Sequence, residues 1–181
     1  MGGDDAPNIV VAGANIARRR HPDVRFLLFG DEKDLTARVA KQRGLAKFVE
    51  IRHASEGVAA DAKPSQVVRG GQKTSMWRAI DAVKAGDANA VVSAGNTGAL
   101  LAMAMLVLKR LPGIDRPAIA SFFPTQRGET VMLDLGANIR CDERNLVEFS
   151  IMGEVFARTV LGIEQPTIGL LNVGAEETKG K

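Results

Sequence analysis

A chain of 181 residues, 45% of them hydrophobic, is long enough to bury a core of its own and too apolar for a disordered segment. Twenty-four Lys and Arg against 21 Asp and Glu leave a formal charge of +3, too mild to argue for nucleic acid, and seven Phe, one Trp and no Tyr give single strands no stacking platform. The one cysteine, Cys141, excludes an internal disulfide, and its distance in sequence from His21 and His53 leaves no visible metal-ligand cluster.

The N-terminus has no apolar run behind a basic stretch, as a secretion signal would require. Ile9, Val10, Ala14 and Ala17 recur at helical spacing and end in Arg18-Arg19-Arg20, cations that favour a helix C-terminus. Val24 to Phe29 reads as a strand closed by Gly30-Asp31, and Leu35, Val39 and Arg43 with Gly44 read as a helix and its cap. Phe48 to Ile51 is the next strand, delivering His53-Ala54-Ser55-Glu56 to a loop at its end. Gly57 to Lys63 reads as loop, and Pro64 opens a polar segment, Ser65 to Lys73. Thr74 or Ser75 caps a helix with Met76, Ile80 and Val83 on one face, which stops at Gly86.

Ala90 to Val92 reads as a strand that turns through Ser93 to Gly98 into the apolar stretch Ala99 to Lys109, a helix buried all round and too short for the roughly 20 residues that span a bilayer. Two readings of that loop stand side by side. Unpaired N–H groups and a positive dipole at the start of a helix, with Gly95 and Gly98 admitting close approach, suit a phosphate. A tight strand-to-helix connection capped by Asn96 or Thr97 explains the same residues without a ligand. Neither the Walker pattern nor Gly-x-Gly-x-x-Gly is present.

Ala118 to Phe122 and Thr130 to Leu135 read as an antiparallel pair joined through Pro124 to Gly128. Asp134, Gly136 and Asn138 follow at a strand end, then a helix from Glu143 to Leu161 and a strand from Thr167 to Leu171. Alternating strands and helices predict one α/β domain over residues 1–181, a mostly parallel sheet between helices with one antiparallel hairpin. Ligands of such sheets collect beyond the carboxyl ends of the strands. Those ends carry His53-Ser55-Glu56, Ser93 to Gly98, Asp134-Gly136-Asn138 and Asn172 to Lys179, which favours the anion reading of the loop.

Several stretches together resemble one family: Met1-Gly-Gly-Asp4 with Ala6-Pro7, His53-Ala-Ser-Glu56, Lys63-Pro64 with Arg69, Ser75-Met76, Val92-Ser-Ala-Gly-Asn-Thr-Gly-Ala99, Gly113-Ile-Asp-Arg-Pro117, Asp134-Leu-Gly-Ala-Asn138, Ile151-Met-Gly153 and Gly169-Leu-Leu-Asn-Val-Gly174 with Lys179-Gly180. In this order they resemble the bacterial phosphate acyltransferases of fatty acid and phospholipid synthesis. The resemblance implies transfer of an acyl group from acyl-carrier protein to inorganic phosphate, giving acyl phosphate without a cofactor or metal. It also implies a Rossmann-like three-layer α/β/α sandwich, similar to phosphotransacetylases and isocitrate-dehydrogenase-like enzymes, and a homodimer. The expected setting is the cytoplasm, with peripheral contact at the inner face of the membrane through parts outside this chain.

Against the family pattern, the chain is expected to be an incomplete N-terminal portion lacking the first strand and the C-terminal half. Asp5 stands where histidine is usual, and Gly71 and Gln72 occupy positions often basic in relatives, although Arg69 and Lys73 remain.

Acyl transfer from a thioester to phosphate needs no protein nucleophile, since phosphate itself attacks, so the absence of a Ser-His-Asp or Cys-His set is consistent. On the resemblance, Gly95, Asn96, Thr97 and Gly98 form the cradle, with Ser75, Arg69 and Lys73 as further phosphate or substrate contacts. Lys179 neutralises developing charge, and Asn172 and Asn138 donate neutral hydrogen bonds. His53 is a candidate acid or base, set against a structural role, and Asn138 against holding a turn; Asp134 orders its loop, since a carboxylate beside phosphate repels it. Two other classes fit the same cradle: a phosphotransacetylase-like enzyme using acyl-coenzyme A, told apart by the thioester it turns over, and a non-catalytic module that binds a phosphate ligand without forming acyl phosphate.

Overall fold

The computed structural model describes residues 2–126, 128–138 and 140–171. The chain divides into two compact units, Met1–Arg110 and Leu111–Lys181.

In the first unit, helix α1 (Asn8–Arg20) ends in its three arginines, as the dipole favours. Strand β1 (Phe26–Gly30) leads through Asp31, whose carboxylate accepts the Asp34 N–H at 2.8 Å, into helix α2 (Glu32–Ala40). Strand β2 (Val49–His53) pairs parallel with β1, Leu28 opposite Ile51 and Gly30 opposite His53. Val11, Ala14, Leu28, Leu35, Val39 and Leu45 form a core between α1, α2 and one face of this pair. Phe29 follows Leu28 and so takes the other face, where it lines a recess with Trp77 and Arg78.

The polar segment after Lys63 is helical: Pro64 starts helix α3 (Pro64–Gly70), and one 3-10 turn (Gly71–Lys73) follows. Proline suits a first helical turn because the N–H it lacks has no partner there. Thr74 links this turn to helix α4 (Ser75–Ala85), its Oγ1 donating to the Gly71 carbonyl at 2.6 Å and accepting the Trp77 N–H at 3.2 Å. Gly86 then ends α4 at φ +83. Helix α5 (Thr97–Val107) buries Ala99, Met103 and Val107 in a second core with Val58, Met76 and Ile80.

Lys109 follows α5 at φ +66, the only non-glycine residue in that region among those described. Lys109→Gly is therefore expected to raise stability by about 0.5–1 kcal/mol, glycine having no Cβ to crowd in a left-handed backbone. A higher urea midpoint checks this.

The strand expected at Ala90–Val92 is absent from every ladder among the described residues. A strand exists only through a partner, and residues 91–94 have none there; a cavity of about 100 Å³ lies beside them, lined by Leu27, Phe29, Met76, Val91 and Ala94 among others.

In the second unit, strands β3 (Ser121–Thr125) and β4 (Gly128–Met132) pair antiparallel, Ser121 opposite Met132 and Thr125 opposite Gly128. The hairpin is tighter than expected: Pro124 pairs with Glu129 and Thr125 with Gly128, and Thr125 Oγ1 donates to the Gly128 carbonyl at 2.8 Å. Helix α6 (Glu143–Val160) starts in a capping box between Asp142 and Asn145. It packs on the hairpin through Phe156, 5.6 Å from the Phe122 ring, and through Gly153, where a Cβ would lie 3.2 Å from Leu133. The strand expected at Thr167–Leu171 is not in a ladder among the described residues either.

Candidate functional site

The start of α5 is built by Asn96. Its Oδ1 accepts the Ala99 N–H at 2.9 Å, so of the two caps left open by the sequence it is Asn96 that closes the helix. Its Nδ2 donates to the carbonyls of Ala60 and Ala62, each at 2.9 Å, with Ala59 at 3.4 Å. Both amide hydrogens are thus engaged by the 57–63 loop. Thr97 and Gly98 stay exposed in the first turn, where helix geometry leaves their backbone N–H groups without intrahelical acceptors.

Protein fills the space beside the two glycines. A Cβ at Gly95 would lie 3.2 Å from Met76 Cε and 3.5 Å from Gly2 Cα, and one at Gly98 would lie 3.0 Å from Pro64 Cγ. The glycines let the N-terminal segment and α3 approach the loop. A Cβ at Gly3, held at φ +98, would lie 2.6 Å from the Ala94 carbonyl oxygen. Gly3, Pro64 and the 59–62 carbonyls are the structural partners that sequence reasoning missed; the spacing of small residues gives no sign of which segments meet.

Ser75 lies buried at the start of α4, its N–H donating to the Glu56 carbonyl at 2.8 Å, and the neighbouring Met76 reaches Gly95. Arg69 in the last turn of α3 and Lys73 in the 3-10 turn are exposed, on the segment that Pro64 anchors against Gly98. The structure therefore brings Ser75 and residues 95–98 together where α3, α4 and α5 meet, with Arg69 and Lys73 on one of these elements.

His53 closes β2. Its Nδ1 accepts the Glu32 N–H at 3.4 Å at the start of α2, and its carbonyl accepts from Arg78 Nη1 at 2.5 Å. The side chain itself is exposed.

In the second unit, Asp134 organises the turn that carries Asn138. Its carboxylate accepts backbone N–H groups of Ile119 at 2.8 Å, Asn138 at 2.7 Å and Ala137 at 3.2 Å, and Asn138 Nδ2 at 3.0 Å. Burial pushes its pKa up, but these donors together outweigh that and hold it below the usual carboxylate value. Asn138 Nδ2 also donates to the Pro117 carbonyl at 2.8 Å, so this amide holds a turn. Asn172 and Lys179 lie outside the described residues.

Among the described residues no group of three or more His, Cys, Asp or Glu could hold a metal ion, and no helix is long and apolar enough to cross a membrane.

Residues 1–181 match the model of a family described as fatty acid synthesis protein. The chain is 61% identical over 180 residues to a phosphate acyltransferase of Rhodospirillum rubrum, covering 99% of this chain and 52% of that protein. Against a phosphate acyltransferase of Rhodospirillum centenum it is 64% identical, covering 99% and 51%, and against one of Paramagnetospirillum magneticum 57%, covering 99% and 51%. The chain spans about half the length of these curated relatives. With the match running from its first residue to its last, the chain belongs to the fatty acid synthesis protein family.

Proposed function

We propose that this chain is the phosphate-holding portion of an enzyme that moves a fatty acyl group from acyl-carrier protein to inorganic phosphate. The observation that carries this is identity of 61% and 64%, over nearly all of the chain, to proteins named phosphate acyltransferase. The exposed first turn of α5 supports the location: Thr97 and Gly98 offer backbone N–H groups at the positive end of a helix dipole.

A phosphate oxygen attacks the thioester carbonyl carbon, forming the new C–O bond, and the C–S bond breaks with its electron pair leaving on sulfur. A thiolate is a good leaving group because its conjugate acid has a pKa of about 8.5. The protein's work is to hold the anion in line and to meet the charge that develops on the carbonyl oxygen. Arg69 and Lys73 serve as nearby cations, Lys179 neutralises charge, and Asn172 donates to it. The role of Asn138 is to keep its own loop in place.

The complete fold is a three-layer sandwich. Leu28 facing α1 and α2 while Phe29 lines the recess with Trp77 and Arg78 of α4 supports it, since helices then cover both faces of the β1–β2 pair. The working form is a homodimer in the cytoplasm, in peripheral contact with the membrane.

The test is a hybrid in which the Rhodospirillum rubrum protein supplies the length that this chain does not span. Given acyl-carrier-protein thioester and phosphate, it is expected to form acyl phosphate, trapped by hydroxylamine as the hydroxamate. Turnover of acyl-coenzyme A alone would reassign the donor, and phosphate binding with neither donor used would make the chain a binding module.

A further inference from the structure

Residues 57–63 form a short loop in which Ala59, Ala60 and Asp61 are exposed. Val58 is buried at one end and Pro64 abuts Gly98 at the other; between them Ala62 packs at the edge of the second core. Besides one backbone turn bond, from the Ala62 N–H to the Ala59 carbonyl at 3.2 Å, the stretch is tied to α5 by a side chain: Asn96 Nδ2, donating to the carbonyls of Ala60 and Ala62 at 2.9 Å each. The same amide, through Oδ1, caps α5 at the Ala99 N–H. The two ends of one planar group thus join the loop to the helix start.

We infer that Asn96 is a positioning residue: it seats the 57–63 loop against the first turn of α5, and the anion is held by the backbone N–H groups of Thr97 and Gly98 with the Thr97 hydroxyl. This rests on the reading of that turn as the phosphate site. Its donors are already engaged, and its free lone pair would repel an anion. Loop and anion are coupled through it, so phosphate steadies the loop and a seated loop favours phosphate, by the same factor in each direction.

Asn96→Ser separates the two functions. Serine caps a helix about as well as asparagine, but its single hydroxyl proton cannot serve two carbonyls. In the variant, amide hydrogen exchange across residues 59–63 is expected to quicken by about 10-fold while α5 is unchanged, and the dissociation constant for inorganic phosphate to rise by about 10-fold. Phosphate binding is read from the shifts of the Thr97 and Gly98 amide resonances. Unchanged loop exchange overturns the inference, and so does a loosened loop with unaltered phosphate affinity. If these resonances fail to move with phosphate in the unaltered chain, the site reading fails, and the loop exchange alone then decides whether Asn96 seats the loop. Should the variant not fold, saturating phosphate added to the unaltered chain must slow exchange across 59–63; no slowing overturns the coupling.

Discussion

Asp134→Ala is expected to lower stability by about 2–4 kcal/mol at neutral pH, because three backbone N–H groups and one amide lose a charged acceptor in a partly buried turn. The sign of the pH dependence follows from the direction of the pKa shift. Asp134 binds its proton less readily in the folded state than in the unfolded one, so its contribution is fully present above the unfolded value of about 4 and fades as pH falls through the lower folded value. Urea unfolding near pH 6 and near pH 3 should therefore show the gap between the wild type and Asp134→Ala narrowing with acid. A gap that stays constant would mean that the stabilisation comes from shape rather than from charge.

That Asp134 orders a loop was legible from its type and place, since a carboxylate repels phosphate and readily collects N–H groups. Elements with local signals were legible too: Thr74 before α4 and Gly86 after it mark its boundaries within a few residues. α3 was hidden because Val67 and Val68 alone carry no helical period, and Pro64 at its start was the one cue. Residues 90–92 and 167–171 have the composition of strands, yet a ladder depends on a neighbour that no local window contains. The roles of Asn96 and Asn138 were obscured for a related reason. An asparagine announces two donors, but whether a ligand or a distant carbonyl takes them is decided by which segments meet.

Gly3→Ala is expected to cost about 3–5 kcal/mol, the sum of a disallowed backbone and an overlap. At φ +98 an alanine is strained, and its Cβ would sit 2.6 Å from the Ala94 carbonyl oxygen, which belongs to backbone and cannot rotate away. Gly86→Ala supplies the control. It has φ +83 with nothing within 4 Å of the added atom, so only the strain of about 1 kcal/mol should register. Both substitutions fall in the first unit, and urea denaturation measures the difference directly. Equal losses would show that the N-terminal segment yields to the side chain. A large excess at Gly3 would mean that Gly2, against Gly95, is pressed into place by its neighbour, and that the turn into α5 depends on this contact.

Thr74 closes the 3-10 turn with one hydrogen bond and opens α4 with another, so the distance from Gly71 to Trp77 is fixed in whole residues. Adding or removing one residue there would rotate α4 by about 100° about its axis. Ile80, wholly buried beside Met103, would then turn toward water. Over generations this stretch can exchange its exposed Gln72 far more readily than it can change length.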